Sequence, residues 1–349
     1  KDYITKLEQE KTQLQDRIKA QKDLISKLEQ RQKRAPGGTT SPRLNNIYLL
    51  KTAAETNIQD MASEYSQNPA VEYAEPDYKV KIQAFPNTLP NDTYIDPGQN
   101  NVWSTGAWGQ DYEDMWGLKK IEADKAWEIS MGAGVVAAVI DTGIDYNHED
   151  IAANIWINTA EIPANSIDDD GNGYIDDIKG YDFANNDADP IDDNGHGTHV
   201  AGTIAAIGNN NKGIIGIAPK TKVMAVKGLN GDGSGYDSTL ANCLKYAADM
   251  GADVISNSWG GPGNPRLIEE TVNYANAKGA VIVAAAGNET DDAINYTPAN
   301  IQNIITVAST GSNDEKSDFS NYGYKIDVSA PGGNSKDEND QNRTFQNIL

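Results

Sequence analysis

Between residues 120 and 331, short apolar runs alternate with longer segments whose apolar positions recur every three to four residues. The runs are GVVAAVI, TKVMAVK, DVISNSW, AVIVAAAG, NIITVAS and KIDVSA; the amphipathic segments between the first four are HGTHVAGTIAAIG, STLANCLKYAAD and EETVNYANAK. Fully apolar strands separated by such segments predict a parallel sheet covered by helices on both faces, an α/β fold. Ligand chemistry in sheets of this kind gathers beyond the carboxyl ends of the strands. Asp141, the stretch Ser258–Gly260 and Asn288 each fall just past a predicted strand.

The pattern upstream is different. Ile4, Leu7, Lys11, Leu14, Ile18, Gln21, Ile25 and Leu28 are spaced alternately by three and four, and six of these eight positions are apolar. Residues 1–34 therefore read as a coiled-coil-like heptad helix, with a simple amphipathic helix as the alternative. Residues 35–43, rich in Gly, Pro, Ser and Thr, read as a linker. In 44–84, IYLLK and VEYAEPDYKVKI read as strands flanking a helix in TNIQDMASEYSQN, where Met61 and Tyr65 share a face. The α/β block occupies 85–349, opening with a tract rich in Pro, Gly and Asn.

Composition narrows the function classes. The net charge is −22. Residues 1–34 hold ten Lys/Arg and six Asp/Glu, a balance of +4, so the remainder carries −22 − 4 = −26. An acidic body of this size repels phosphates and excludes nucleic acid as a partner, while suiting a secreted hydrolase or a cation binder. No run of 18 uncharged apolar residues predicts a membrane span, and the charged start KDYITKLEQEK has no apolar leader core. Cys243 is the one cysteine, so no disulfide closes within the chain; its setting in LANCLKYA reads as a buried small hydrophobe.

Two clusters carry candidate chemistry. VIDTGID ends an apolar strand in Asp141, and NGHGTHVAG places His196 at the start of a helix between Gly195 and Gly197. A carboxylate at a strand end can accept an imidazole N–H and fix the tautomer of the ring; an isolated histidine could equally be structural. In SIDDDGNGYIDD, Asp168, Asp170, Asn172, Gly173, Tyr174 and Asp176 occupy positions 1, 3, 5, 6, 7 and 9 of an EF-hand-type loop. Position 12 is Lys179, not the usual bidentate Glu, and Asp177 is the candidate replacement ligand from a shortened loop. Ten Asp between 168 and 193 face one Lys, a density that calls for a cation, Ca²⁺, with a solvated acidic loop as the alternative.

VIDTGID, GHGTHVAG, SNSWG, AAAGNE and the Ser-Ala-Pro-Gly of Ser329–Gly332, in this order, resemble the subtilisin family of serine proteases, in its thermitase-like branch. The resemblance runs from about residue 90 to about 335 and implies a three-layer parallel-sheet fold. It implies Asp141 as triad acid, His196 as general base, Asn288 as side-chain oxyanion donor and a structural role inside the helix for His199. Gly233, Ser234 and Gly235 on one side, and Ser258, Trp259 and Gly260 on the other, would be cleft edges pairing with an extended peptide. The small walls Ala285, Ala286 and Gly287 would favour an uncharged side chain before the scissile bond. A second calcium site would use Asp150, Asn210 and the carbonyls of Ile207, Lys212 and Ile214, with Asp92 as a further ligand. The block 44–82, notably NPAVEYAEPDYKV, resembles the second half of the family's inhibitory propeptide, the heptad helix standing in place of its first half, and implies maturation near residues 83–90.

The serine nucleophile is the departure. The family places it about twenty residues or more after the Ala-Pro-Gly segment, opening a buried helix, whereas seventeen residues follow Gly332 here. Ser335 is the sole serine after Ser329 and lacks a preceding Gly-Thr. The resulting expectation is a calcium-stabilised, secreted, broad-specificity serine endopeptidase precursor whose 349-residue chain is inactive and less stable than a chain with that helix. Its partners would be peptide substrates, its own propeptide and further copies bound through the N-terminal helix. The alternative is a non-catalytic, coiled-coil-linked scaffold that binds peptide or calcium.

Overall fold

The computed structural model describes residues 57–71, 74, 89–107 and 109–334. The heptad helix, the linker, the first strand expected in 44–84 and all of the second but Val71 and Ala74 lie outside these residues, as does Ser335. The chain divides into two units, Lys1–Ala84 and Phe85–Leu349. In the first, helix α1 (Ile58–Ser66) forms in the segment expected to be helical. Asn57 caps it, its Oδ1 accepting the Asp60 N–H at 3.3 Å.

In the second unit, two short helices, α2 (Trp116–Lys120) and α3 (Ala123–Trp127), precede strand β1 (Val136–Asp141). Then follow β2 (Gly180–Asp182), α4 (His196–Ala205), β3 (Lys222–Lys227), α5 (Asp237–Asp249) and β4 (Val254–Asn257). The chain continues through β5 (Gly261–Pro262), α6 (Arg266–Lys278), β6 (Val281–Ala285), β7 (Tyr296–Thr297), β8 (Ile305–Thr310) and β9 (Val328–Pro331). Seven strands form one parallel sheet in the order β2-β3-β1-β4-β6-β8-β9, and β5 pairs antiparallel with β7 in a separate ribbon. β2 and the ribbon were not evident in the apolar pattern: three residues, and two of two, are too short to show a period.

Alternation along each strand sorts the side chains into two layers. Ala138, Ile140, Met224, Val226, Ile255, Ile282 and Ala284 point to one face and pack with α5 and α6 through Leu244, Ala247, Ile268, Val272 and Ala275. Val139, Val223 and Ala225 point to the other and meet Ala201 and Ala205 of α4, with Ile144, Ile151 and Ile155. The result is a three-layer α/β fold. On the α4 side, the parallel register puts Val281, Val283, Ile305, Val307 and Val328 on one apolar surface beyond the helix; Val281, Ile305 and Val328 are 45%, 40% and 51% exposed. Among the described residues no helix is long and apolar enough to cross a membrane.

Candidate active site

β1 lies between β3 and β4, and its last residue, Asp141, is fully buried at the carboxyl end of the sheet. Asp141 Oδ1 accepts the Thr142 N–H at 2.7 Å and stands 2.8 Å from His196 Nδ1, bringing together residues far apart in the chain. Asp141 Oδ2 is buried without a hydrogen-bond partner among the described residues. An ionised carboxylate only accepts, so Nδ1 carries the proton and Nε2 is left as the basic nitrogen. The hydrogen bond that His196 donates to Asp141 raises the His196 pKa above its ordinary value; burial opposes this, and the charges of Asp141 and Asp192 add to it. The imidazole remains 52% exposed, open to a reactant.

Sequence places His196 at this spot through three local devices. Gly197 admits α4 against the turn after β1: a β-carbon there would stand 2.1 Å from the Gly143 carbonyl oxygen and 3.1 Å from Asp141 Cβ. Thr142 Oγ1 accepts the Gly197 N–H at 3.0 Å and donates to Asp192 Oδ1 at 2.8 Å. Asp192 caps the start of α4, taking the N–H groups of Asn194, Gly195 and Thr198 and the Thr198 hydroxyl. Burial works against ionisation of Asp192, but these hydrogen bonds outweigh it and hold its pKa at about 2.

Asn288 follows β6 and is exposed at the same end of the sheet. Its loop is organised by Asn321, which is fully buried. The Asn321 amide nitrogen donates to the Ala286 carbonyl and to Glu289, its oxygen accepts the N–H groups of Glu289 and Asp291, and its own N–H reaches the Gly287 carbonyl. Gly233, Ser234 and Gly235 lie in the loop between β3 and α5, and Ser258, Trp259 and Gly260 follow β4. Neither stretch joins a sheet; in the first, the Gly233 and Ser234 N–H groups donate to the Asn230 carbonyl and the Asp232 carboxylate, and the Ser234 carbonyl accepts from Asn230.

Two groups of acidic residues test whether a cation suits the chain. Asp92 and Asp150 are both buried, and neither forms an ion pair among the described residues. Burial pushes the Asp92 carboxyl up; the N–H groups of Asn209 and Asn210 oppose this, and the nearby Asp150 charge adds to it. Asp150 accepts the Asn210 side-chain amide at 2.5 Å and the Ile214 N–H at 3.3 Å, and its carbonyl takes the Ile207 N–H. Two buried carboxylates close enough to influence one another are hard oxygen donors of the kind Ca²⁺ takes; the Asn210 amide turns its nitrogen to Asp150 and its oxygen to the Lys212 N–H. Lys212, in the same loop, sends its side chain outward to Glu149.

In the second group, Glu161, Asp168 and Asp170 offer oxygens within 4.8 Å of one another. Asn172 donates its side-chain amide to Asp170 and Asp177, and the Tyr174 N–H caps back on Asn172. Asp177 is fully buried; its pKa is raised by burial, while the Tyr246 hydroxyl and the amides of Asn158 and Asn172 pull it the other way. Asp176 turns its carboxylate to the N–H groups of Asn165 and Ser166.

The family profile for the subtilase family matches residues 132–348. The chain belongs to the subtilase family. It is 40% identical over 277 residues to the thermophilic serine proteinase of Bacillus sp. (strain AK1), covering 79% of this chain and 58% of that protein. It is 45% identical over 218 residues to thermitase of Thermoactinomyces vulgaris, covering 62% and 70% respectively. Among solved structures, proteases from Pseudoalteromonas arctica match with a TM-score of 0.55 and 32% identity, over 71% of this chain and 73% of that one. The chain thus spans somewhat over half of the Bacillus relative.

Within this subtilase, three residues outside the quoted motifs shape the site: Asp192, Asn321 and Glu161. The Asp192 signal was its place four residues before His196, in a run of aspartates that hid it. Glu161 lies seven residues before the acidic loop, outside the EF-hand spacing. His199 also departs from expectation. It is exposed, and with His148, Asp150, Thr198 and Ile214 it lines a cavity of about 260 Å³ instead of packing inside the helix. The reason is its place on α4: the cavity is lined by the face of Gly195, Thr198, His199 and Gly202, while Ala201 and Ala205 take the sheet.

Proposed function

We propose that this chain carries the acid, base, oxyanion donor and cleft of a calcium-stabilised serine endopeptidase. The observation that supports this most is the 2.8 Å contact between His196 Nδ1 and buried Asp141, at the strand ends where Asn288 and both cleft edges also lie. His196 Nε2 would take the proton of a serine hydroxyl as it attacks the peptide carbonyl, and return it to the leaving amine. Asp141 would hold the ring and stabilise the imidazolium. Asn288 would donate its amide to the oxyanion, and the cleft edges Gly233–Gly235 and Ser258–Gly260 would hold the substrate as an added strand.

Among the described residues no hydroxyl is hydrogen-bonded to His196 Nε2, and the 349-residue chain by itself is expected to be inert. Asp92, Asp150 and Asn210, with carbonyls of the 207–214 loop, would hold one Ca²⁺; Glu161, Asp168 and Asp170 would hold another, with Asp176 and Asp177 bracing the loop through their own hydrogen bonds rather than ligating. The ions would neutralise buried carboxylates and fix their loops. The acidic body suits an extracellular protease, with 44–84 as its own inhibitor and the heptad helix as a self-association element.

The test is a fluorogenic peptide assay on the 349-residue chain and on a version extended by a Gly-Thr-Ser helix of the family type. The expected result is turnover in the extended protein alone, abolished by His196→Ala. Turnover by the shorter chain would overturn the expected inertness, and none by a folded extended protein would favour the scaffold reading.

A further inference from the structure

Lys227 is the last residue of β3 and lies opposite Asp141 in the β1–β3 register. Its side chain is 1% exposed, among the largest that the fold buries completely. Nζ donates to the Thr142 carbonyl at 2.6 Å and to Asp193 Oδ1 at 2.5 Å. Thr142 directly follows Asp141, and Asp193 precedes His196 by three residues. One ammonium therefore joins the turn that leaves the acid to the loop that enters the base.

Stability is a poor explanation for this arrangement. A buried ammonium loses its hydration; the one carboxylate it bonds directly, Asp193, is half in water, where the attraction is screened, and the buried Asp182 opposite it on β2 attracts it only through space. An apolar side chain of the same length would fill the space without that penalty. The position is informative for a different reason. Thr142 already touches α4 through its hydroxyl, which binds Gly197 and Asp192; Lys227 grips its carbonyl instead. The peptide following Thr142 leads into the Gly143 carbonyl over which Gly197 closes.

We propose that Lys227 is a positioning residue: its ammonium brackets the Thr142 carbonyl and the Asp193 carboxylate, and so sets the Asp141–His196 separation. The inference rests on reading Asp141 and His196 as acid and base, but it acts on their geometry and is tested without turnover.

The experiment follows the His196 Nδ1 proton of the 349-residue chain by NMR, assigned by its loss in His196→Gln. In the parent this proton is hydrogen-bonded and exchanges slowly with water. Lys227→Met keeps the fold, judged by circular dichroism, but the proton exchanges at least about ten-fold faster or broadens away; Lys227→Arg, which keeps charge and donors, restores it. Asp193→Ala removes only the half-exposed arm, shifts exchange in the same direction, and serves if Lys227→Met does not fold. Unchanged exchange in the folded variants overturns the proposal, as does a lower melting temperature with the proton still protected, which marks Lys227 as merely structural. Failure of the extended protein to cleave peptide leaves this readout intact, so the two failures are distinguishable.

Discussion

A β-carbon on Gly197 would stand 2.1 Å from the carbonyl oxygen of Gly143, so the helix of the base can approach the turn of the acid only without a side chain there. Gly197→Ala must push backbone against backbone. The expected cost is about 2–3 kcal/mol, at the upper end for overpacking, and the Asp141–His196 hydrogen bond should lengthen. Urea denaturation measures the first and the His196 NMR titration the second; a midpoint and pKa both equal to those of the parent would contradict the geometry.

The dyad also has a pH signature. His196 has a folded-state pKa above its unfolded value of 6.5, so its contribution to stability is full below that value and is lost as pH rises through the folded value. Asp141→Asn removes the first cause of the shift. The variant should titrate His196 at lower pH and lose the corresponding slope in stability, read from denaturation midpoints on either side of pH 6.5.

Asp192 acts in the opposite direction. Its folded pKa of about 2 lies below the ordinary 3.8, so its contribution is complete above 3.8 and disappears as pH falls toward 2. The contribution is at most about 2 kcal/mol, reduced by solvent screening. Asp192→Asn should flatten this acid limb and fray the first turn of α4, seen as faster amide exchange at Gly195 and Thr198.

Asn321→Ala should leave the Ala286 carbonyl and the Glu289 and Asp291 N–H groups without their partner, at a cost of about 2–4 kcal/mol. Hydrogen exchange should rise across 287–291, the loop that carries Asn288, before it rises in the sheet. Uniform protection across that loop would show that Asn321 does not organise it.

Chelation should lower the melting temperature. Saturating a site at one hundred times its dissociation constant stabilises by about 2.7 kcal/mol. Asp150→Asn should remove most of the calcium-dependent increment if the buried pair with Asp92 is the stronger site. Differential scanning calorimetry with and without EDTA decides this; a melting temperature indifferent to calcium would refute the metal reading.

The apolar runs made six of the seven main-sheet strands legible, because their hydrophobic residues fall on both faces of the sheet, even in β6, β8 and β9, where Val281, Ile305 and Val328 are exposed. β2 escaped because its three residues hold place by pairing with β3 rather than by composition. Asp141 and His196 were legible through their glycine-flanked motifs, since close backbone approach restricts residue type. Asn321 and Lys227 were not. Their roles arise from contacts 30 or more residues away in the chain, and a buried amide or ammonium has no local pattern that distinguishes it from a surface one.

The strand order also governs how the protein comes into being. β1, which ends in the acid, has Val139 opposite both Ala225 and Ser256. As the ribosome delivers the chain, the β3 partner of that strand emerges 225 − 139 = 86 residues later and its β4 partner 256 − 139 = 117 residues later. Loop-closure entropy must be overcome before any of these parallel contacts forms, which slows folding. The acid is therefore made early in synthesis but gains its place in the sheet late, once both neighbouring strands exist.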